Sequence, residues 1–197
     1  MNLQHASLVS IVTLPLVLTT PALAVEGHDI PIRHFHIQQE RYEKNGVLVS
    51  RPSPQDEKIT RLLQTNRIRT LADYSGWLGK NIRYQNDGPG SAWPEPLKVL
   101  QNKSGDCEDY AVLNSQVLKV LGYKPSILSL VSARGAHAIC VFEHDGYFFW
   151  FDNARLNKTT AKTLTELARD ITLQYRYSYT LELDAASRQW RLVYKRS

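Results

Sequence analysis

The chain has 197 residues, with 24 Lys and Arg against 19 Asp and Glu, giving a net charge of +5 at pH 7. That length suits one domain with its own core. The basic excess is mild and scattered rather than striped, so a solvated basic surface is favoured over the electrostatic footprint of a nucleic-acid binder.

An uncharged stretch rich in Leu, Val, Ile and Thr runs over 8–24, and Ala22-Leu23-Ala24 supplies the small residues of a signal-peptidase site. Pro15 and Pro21 interrupt it, and it is short for a spanning helix. A signal peptide over 1–24, cleaved after Ala24, is therefore expected. No Lys or Arg precedes the apolar run, which leaves the α-amino group and His5 as the positive end. No cysteine stands at the cleavage site, so a lipid anchor is not indicated. No later segment is long and apolar enough to cross a bilayer. The expected product is periplasmic or secreted, with no membrane insertion after signal cleavage.

Residues 25–52 have weak periodicity and are expected to form an extended N-terminal lead. The domain proper, 53–197, opens at Ser53-Pro54: a cap, a proline at the first helical position, and Asp56 and Glu57 in the first turn. Ile59, Leu62 and Leu63 supply an apolar face. A second helix follows from Leu71, Tyr74, Trp77, Leu78 and Ile82. Residues 86–91, Asn-Asp-Gly-Pro-Gly-Ser, read as a loop. Trp93-Pro94-Glu95-Pro96 starts a short helix ending near Leu100, and a longer one runs from Asp106 to Gly122, a suitable residue just past a helix end. The pattern then changes to strands at 127–131, 137–143, 147–152, 173–183 and 190–194, with a helix over 163–170. Helices first and antiparallel strands after them give an α+β fold.

The most informative stretch is Ser104-Gly105-Asp106-Cys107-Glu108-Asp109-Tyr110-Ala111, where a polar turn becomes a helix at a cysteine. A thiol attacks a carbonyl carbon as thiolate, and the unpaired N–H groups at a helix start favour negative charge. The backbone N–H of Cys107 is also placed to meet the oxygen of a tetrahedral intermediate. Asp106, Glu108 and Asp109 work against this, because carboxylates beside a thiol disfavour its anion. They must be capped, turned away, paired or neutralised by a cation. Asp106 as an N-cap answers one case. A hard cation held by Asp106 and Glu108 answers another, since carboxylate oxygens suit calcium.

Strand alternation tests whether His137 and Asp152 can meet. With Asp145-Gly146 as a two-residue hairpin turn, His144 pairs with Tyr147 and Ile139 faces Asp152. His137 then lies diagonal to Asp152 on the same face, about 7–8 Å away at Cα and within reach of a carboxylate–imidazole hydrogen bond. Asp152 would orient the ring and leave its other nitrogen for Cys107. The same alternation sends Cys140 to the opposite face, where it reads as a small buried hydrophobe. A Cys107–Cys140 disulfide is the alternative that export invites. Trp93 is either core or a wall of a substrate cleft. His144 and the His34–His36 pair read as surface residues without metal-ligand spacing.

Trp93-Pro94-Glu95, Gly105-Asp106-Cys107-Glu108-Asp109-Tyr110-Ala111, His137 in an apolar strand and Phe151-Asp152-Asn153 together resemble the bacterial transglutaminase-like cysteine peptidases. The resemblance spans about Leu71 to Asn153. It implies a papain-like transglutaminase core, with the cysteine helix packed on an antiparallel sheet. It also implies Cys107 as nucleophile, His137 as general base and acid, and Asp152 as orienting residue. Some exported members are periplasmic proteases that release surface adhesins by cutting near a di-alanine site. They depend on calcium bound by acidic residues matching Asp106 and Glu108. Three functions follow as expectations. One is a periplasmic endopeptidase acting on a protein or peptide substrate, such as a surface adhesin. Another is a transglutaminase or deamidase acting on protein amides, and the third is a non-catalytic binding module.

Overall fold

The computed structural model of the chain describes residues 29–32, 39–44, 46–86, 95–184 and 188–197. The stretch 1–24 expected as a signal peptide, the His34–His36 pair and Trp93 lie outside the described residues.

In chain order the elements are β1 (Gln39–Lys44), β2 (Val47–Pro52), α1 (Pro54–Thr65), α2 (Leu71–Asn81), β3 (Arg83–Tyr84), α3 (Pro96–Asn102), β4 (Ser104–Gly105) and α4 (Cys107–Val120). Strands β5 (Ser126–Ser132), β6 (Gly135–His144), β7 (Tyr147–Asp152) and β8 (Arg155–Lys158) follow. Helix α5 (Leu164–Gln174) and strands β9 (Tyr179–Leu183) and β10 (Trp190–Lys195) complete the chain. The fold is α+β, as expected. Its centre is a six-stranded antiparallel sheet in the order β10-β9-β5-β6-β7-β8.

The helices begin where their side chains can cap them. Ser53 Oγ accepts from the Asp56 N–H, with Pro54 at the first position of α1. Thr70 and Asp73 exchange side-chain-to-backbone bonds at the start of α2 (3.0 and 3.1 Å), and Thr163 and Glu166 do the same for α5. Helix α4 stops at Val120, with Gly122 at φ 84° in the left-handed region that glycine occupies without strain.

Alternation along the central strands sorts the core into two layers. Ala138, Cys140, Phe142, Phe149 and Phe151 face one way and pack with Ile59 and Leu63 of α1, Tyr74 and Leu78 of α2, Val99 of α3 and Leu113 and Val117 of α4. Leu128, Leu130, Ile139, Val141 and Trp150 face the other way and pack with Leu167 and Ile171 of α5. The sheet is thus covered by four helices on one side and one on the other. Side-chain bonds fix α4 within the larger layer. The buried Tyr110 hydroxyl donates to the Ile82 carbonyl (2.7 Å), and Gln116 Nε2 donates to the Asp56 carboxylate of α1 (2.7 Å).

The structure departs from the sequence expectation in three places. The segment 173–183 is not one strand: α5 continues to Gln174, and only Tyr179–Leu183 is extended. Ile171 and Thr172 are buried at helical spacing from Leu167 and Ala168, so packing carries the helix through residues of high strand propensity. Arg176, at φ 58°, marks the break after α5. Strand β8, Arg-Leu-Asn-Lys, was not expected, and it pairs with β7 as an edge of the sheet. The stretch expected as an extended lead contains the β1–β2 hairpin, with Lys44 paired to Val47 and Gly46 in the turn at φ 77°.

Between α5 and β9 the buried hydroxyls of Thr172 and Thr180 lie 2.6 Å apart. Replacing Thr172 alone by Val strands the Thr180 hydroxyl in the core and should cost about 1–3 kcal/mol. The double variant Thr172→Val, Thr180→Val should recover much of that loss. Chemical denaturation of the single and double variants measures both quantities.

Candidate active site

Cys107 is the first residue of α4, and its position is set by the residues on either side. Asp106 is the N-cap: its Oδ1 accepts from the backbone N–H groups of Glu108 (2.9 Å) and Asp109 (3.3 Å). Asp109 returns the bond, its Oδ2 accepting from the Asp106 N–H at 2.9 Å. Two of the three carboxylates that would oppose a thiolate are therefore turned onto backbone donors. Gly105 makes this possible. A Cβ there would lie 2.5 Å from the Asp109 Cβ and 2.6 Å from its Oδ2. The same glycine lies in the short parallel pairing of β3 with β4, where Tyr84 is its partner and the Gln85 N–H donates to its carbonyl at 2.9 Å.

The imidazole comes from β6 and the carboxylate from the end of β7. Their register follows the two-residue Asp145-Gly146 turn: His144 pairs with Tyr147 and Cys140 with Phe151. His137 Nε2 lies 2.8 Å from Asp152 Oδ1, and the two side chains are 23% and 42% exposed. Both can therefore meet an incoming molecule. Cys107 lies close enough to the same ring to raise its pKa. With Nε2 engaged by Asp152, Nδ1 is the nitrogen left for the thiol. Burial pushes the imidazole pKa down. The hydrogen bond to Asp152 and the proximity and negative charge of Asp152 and Cys107 outweigh that, and raise it from 6.5 to about 9. The shift favours the protonated ring at neutral pH.

The two cysteines differ in environment. Cys107 is partly exposed, Cys140 is fully buried between the sheet and the helices, and both are free thiols. Burial pushes the Cys140 thiol well above its ordinary range. No disulfide joins them.

Three supporting residues were not singled out from sequence. Asn114 of α4 donates to the Asn153 carbonyl (2.9 Å), and Ser75 of α2 donates to the Ala154 carbonyl (2.7 Å), so the turn after Asp152 is held from two helices. Tyr177 packs under the α5 layer. Its phenol is held above its usual pKa by burial first, then by the negative charges of Asp152 and Cys107. A polar residue seven positions after Cys107, amid the apolar Leu113, Val117 and Leu118, was the available signal for Asn114. Nothing in the sequence pointed to Ser75 or Tyr177.

The cation site expected at Asp106 and Glu108 is not assembled by the described residues. Asp106 is only 9% exposed and its Oδ1 is committed to two N–H donors. No group of three His, Cys, Asp or Glu side chains among the described residues could hold a metal ion.

Two outcomes test this geometry. Gly105→Ala drives a Cβ into Asp109 and breaks the reciprocal cap, so unfolding free energy should fall by about 1–2 kcal/mol. His137 has a higher pKa folded than free, so its contribution to stability is complete below pH 6.5 and is lost as pH rises through about 9. In Asp152→Asn most of that pH dependence should vanish. Denaturant unfolding of both proteins at pH 6, 7.5 and 9.5 measures the difference.

A family model described as a transglutaminase-like domain matches residues 57–172, more than half of the chain. No curated protein matches. Among solved structures, a Cytophaga hutchinsonii protein assigned to the cysteine proteases is 13% identical, covering 67% of this chain and 72% of its own at a TM-score of 0.43. LapG of Legionella pneumophila in its calcium-bound form is 17% identical, covering 72% of this chain and 90% of its own at a TM-score of 0.45. A second structure of the same LapG is 18% identical, with 56% and 70% covered and a TM-score of 0.42. The matched segment contains Cys107, His137 and Asp152. The chain belongs to the transglutaminase-like domain family.

Proposed function

We propose that this protein is a cysteine peptidase in which Cys107, His137 and Asp152 act as nucleophile, acid–base group and orienting carboxylate. The observation that carries the reading is the 2.8 Å contact of His137 Nε2 with Asp152, with Cys107 near enough to the same ring to shift its pKa. An imidazole held by a carboxylate beside a thiol can hold a proton and release it to a leaving group.

The sequence of steps follows from these positions. Cys107 Sγ attacks the carbonyl carbon of the substrate, and the carbonyl π electrons move onto oxygen. The Cys107 backbone N–H is the first of α4, and the Asp106 cap uses those of Glu108 and Asp109 instead. It is therefore the donor assigned to the oxyanion. Imidazolium His137 gives its proton to the departing amine as the C–N bond breaks, leaving a thioester on Cys107. Neutral His137 then takes a proton from water, the hydroxide oxygen bonds the acyl carbon, and the thiolate leaves as the carboxylic product forms. Asp152 holds the ring's orientation throughout. Trp93 keeps its role as a candidate cleft wall.

Calcium at Asp106 and Glu108 rests on resemblance to exported peptidases of this type. The reciprocal cap already turns Asp106 and Asp109 away from the thiol, so the chemistry above routes no step through a metal. Export to the periplasm rests on the signal pattern of 1–24, and an adhesin substrate rests on the resemblance alone. No helix among the described residues is long and apolar enough to cross a membrane.

The family relationship favours one second reading. An amine in place of water at the thioester gives transglutamination, and attack on a glutamine side-chain amide followed by water gives deamidation. Incubating the mature protein with an unfolded protein substrate and a labelled primary amine separates the outcomes by mass spectrometry. The peptidase reading expects chain cleavage, a loss of at least 1,000-fold in Cys107→Ala or His137→Ala, on the order seen for removal of such groups, and a smaller loss in Asp152→Asn. Amine incorporation or ammonia release without cleavage supports the second reading. Turnover that survives Cys107→Ala contradicts both.

A further inference from the structure

We infer that Asn114 is a positioning residue, which locks the cysteine helix to the strand end carrying Asp152 and so sets Cys107 against the His137–Asp152 pair. The inference rests on the catalytic reading of those three residues.

Asn114 stands seven residues after Cys107, two turns along α4 and on the same helical face, about 10.5 Å away along the axis. It is completely buried, as are its neighbours Leu113, Val117 and Leu118. Its Nδ2 donates to the Asn153 carbonyl at 2.9 Å. Asn153 follows Asp152 directly and adopts φ 50°, the left-handed conformation that turns the chain from β7 into β8. One rigid helix therefore presents Cys107 at its tip and, two turns further on, grips the residue beside Asp152.

The other support of this turn differs in what it connects. Ser75 Oγ donates to the Ala154 carbonyl at 2.7 Å and accepts from the Leu156 N–H at 3.3 Å, which ties the turn to α2. Loss of Ser75 would loosen the turn. Loss of Asn114 would also free it from the helix that holds the thiol.

The amide of Asn114 is poorly explained by stability alone. Its Oδ1 is buried with no hydrogen-bond partner among the described residues. A leucine has nearly the same shape and would pack among the same apolar neighbours without a half-satisfied amide. What the amide supplies and a leucine cannot is the bond to the Asn153 carbonyl. The Nδ2 assignment follows from its partner, since a carbonyl oxygen requires a donor.

The test uses Asn114→Leu, Asn114→Ala and Ser75→Ala in the full mature chain. The rate of Cys107 carbamidomethylation by iodoacetamide at pH 7 reports the thiol. Titration of the His137 ring by NMR reports its partnership with Asp152, and thermal unfolding reports stability. Either folded Asn114 variant should alkylate Cys107 at least ten-fold more slowly than wild type, with His137 titrating at lower pH and Tm falling no further than in Ser75→Ala. Ser75→Ala should lower Tm and slow Cys107 less. If Asn114→Leu fails to fold, Asn114→Ala leaves a small gap in a good helix former and carries the comparison. Wild-type alkylation and His137 titration in a folded Asn114 variant overturn the inference and leave the triad intact. The same is true of a loss no larger than that of Ser75→Ala. A wild-type Cys107 no more reactive than in His137→Ala would remove the catalytic reading itself, and the role of Asn114 with it.

Discussion

Asp106 and Asp109 each hold the other's backbone N–H region through a side-chain oxygen, and this reciprocal cap fixes where α4 begins. A cysteine flanked by three acids is an unfavourable place for a thiolate until those acids are given other work. The cap does this for two of them and, in the same arrangement, sets Cys107 as the first helical residue. Gly105 is the steric condition, because any side chain there would occupy the space of the Asp109 carboxylate. A motif that looks catalytically awkward in sequence thus becomes coherent once the acids are read as structural groups.

The remaining geometry is a matter of holding one helix against one sheet. Tyr110 ties the first turn of α4 to the end of α2, Gln116 ties its last turns to α1, and Asn114 ties its middle to the strand end beyond Asp152. Each of these polar bonds sits in a layer otherwise built from Leu, Val, Ile and Phe side chains. Apolar packing sets how closely helix and sheet approach. The polar bonds set the register, which packing alone leaves free to slide. His137 and Asp152 need no such help from a helix to find one another. Adjacent strands bring them together through a two-residue turn.

Much of this was legible in the chain itself, for identifiable reasons. Asp145-Gly146 between apolar runs fixed the hairpin, and period-two alternation then placed His137, Asp152 and Cys140 without further information. Ser53-Pro54 and Asp106 announced their helices because capping chemistry is local. The failures are also physical. Residues 173–183 contain Tyr, Thr and Leu of strand-like character, but burial of Ile171 and Thr172 under α5 extended the helix into them. Strand β8 is short, polar and at an edge, so it lacks an alternating signature. Gly46 sits in the turn between β1 and β2 at φ 77°, within a stretch whose weak periodicity hides the strands on either side. Ser75, Asn114 and Tyr177 act through tertiary contacts, which no local pattern encodes.

The account turns on whether Cys107 is an activated nucleophile, and thiol labelling of the mature protein decides it most directly. Iodoacetamide labelling would be followed from pH 5 to 10, with Cys107 and Cys140 read separately by mass spectrometry, in calcium and in chelator. The predicted result is rapid labelling of Cys107 near neutral pH, abolished in His137→Ala, with Cys140 protected until the protein unfolds. A Cys107 that labels no faster than an ordinary surface thiol and is indifferent to His137 would contradict the account. The chain would then be a transglutaminase-like fold used for binding.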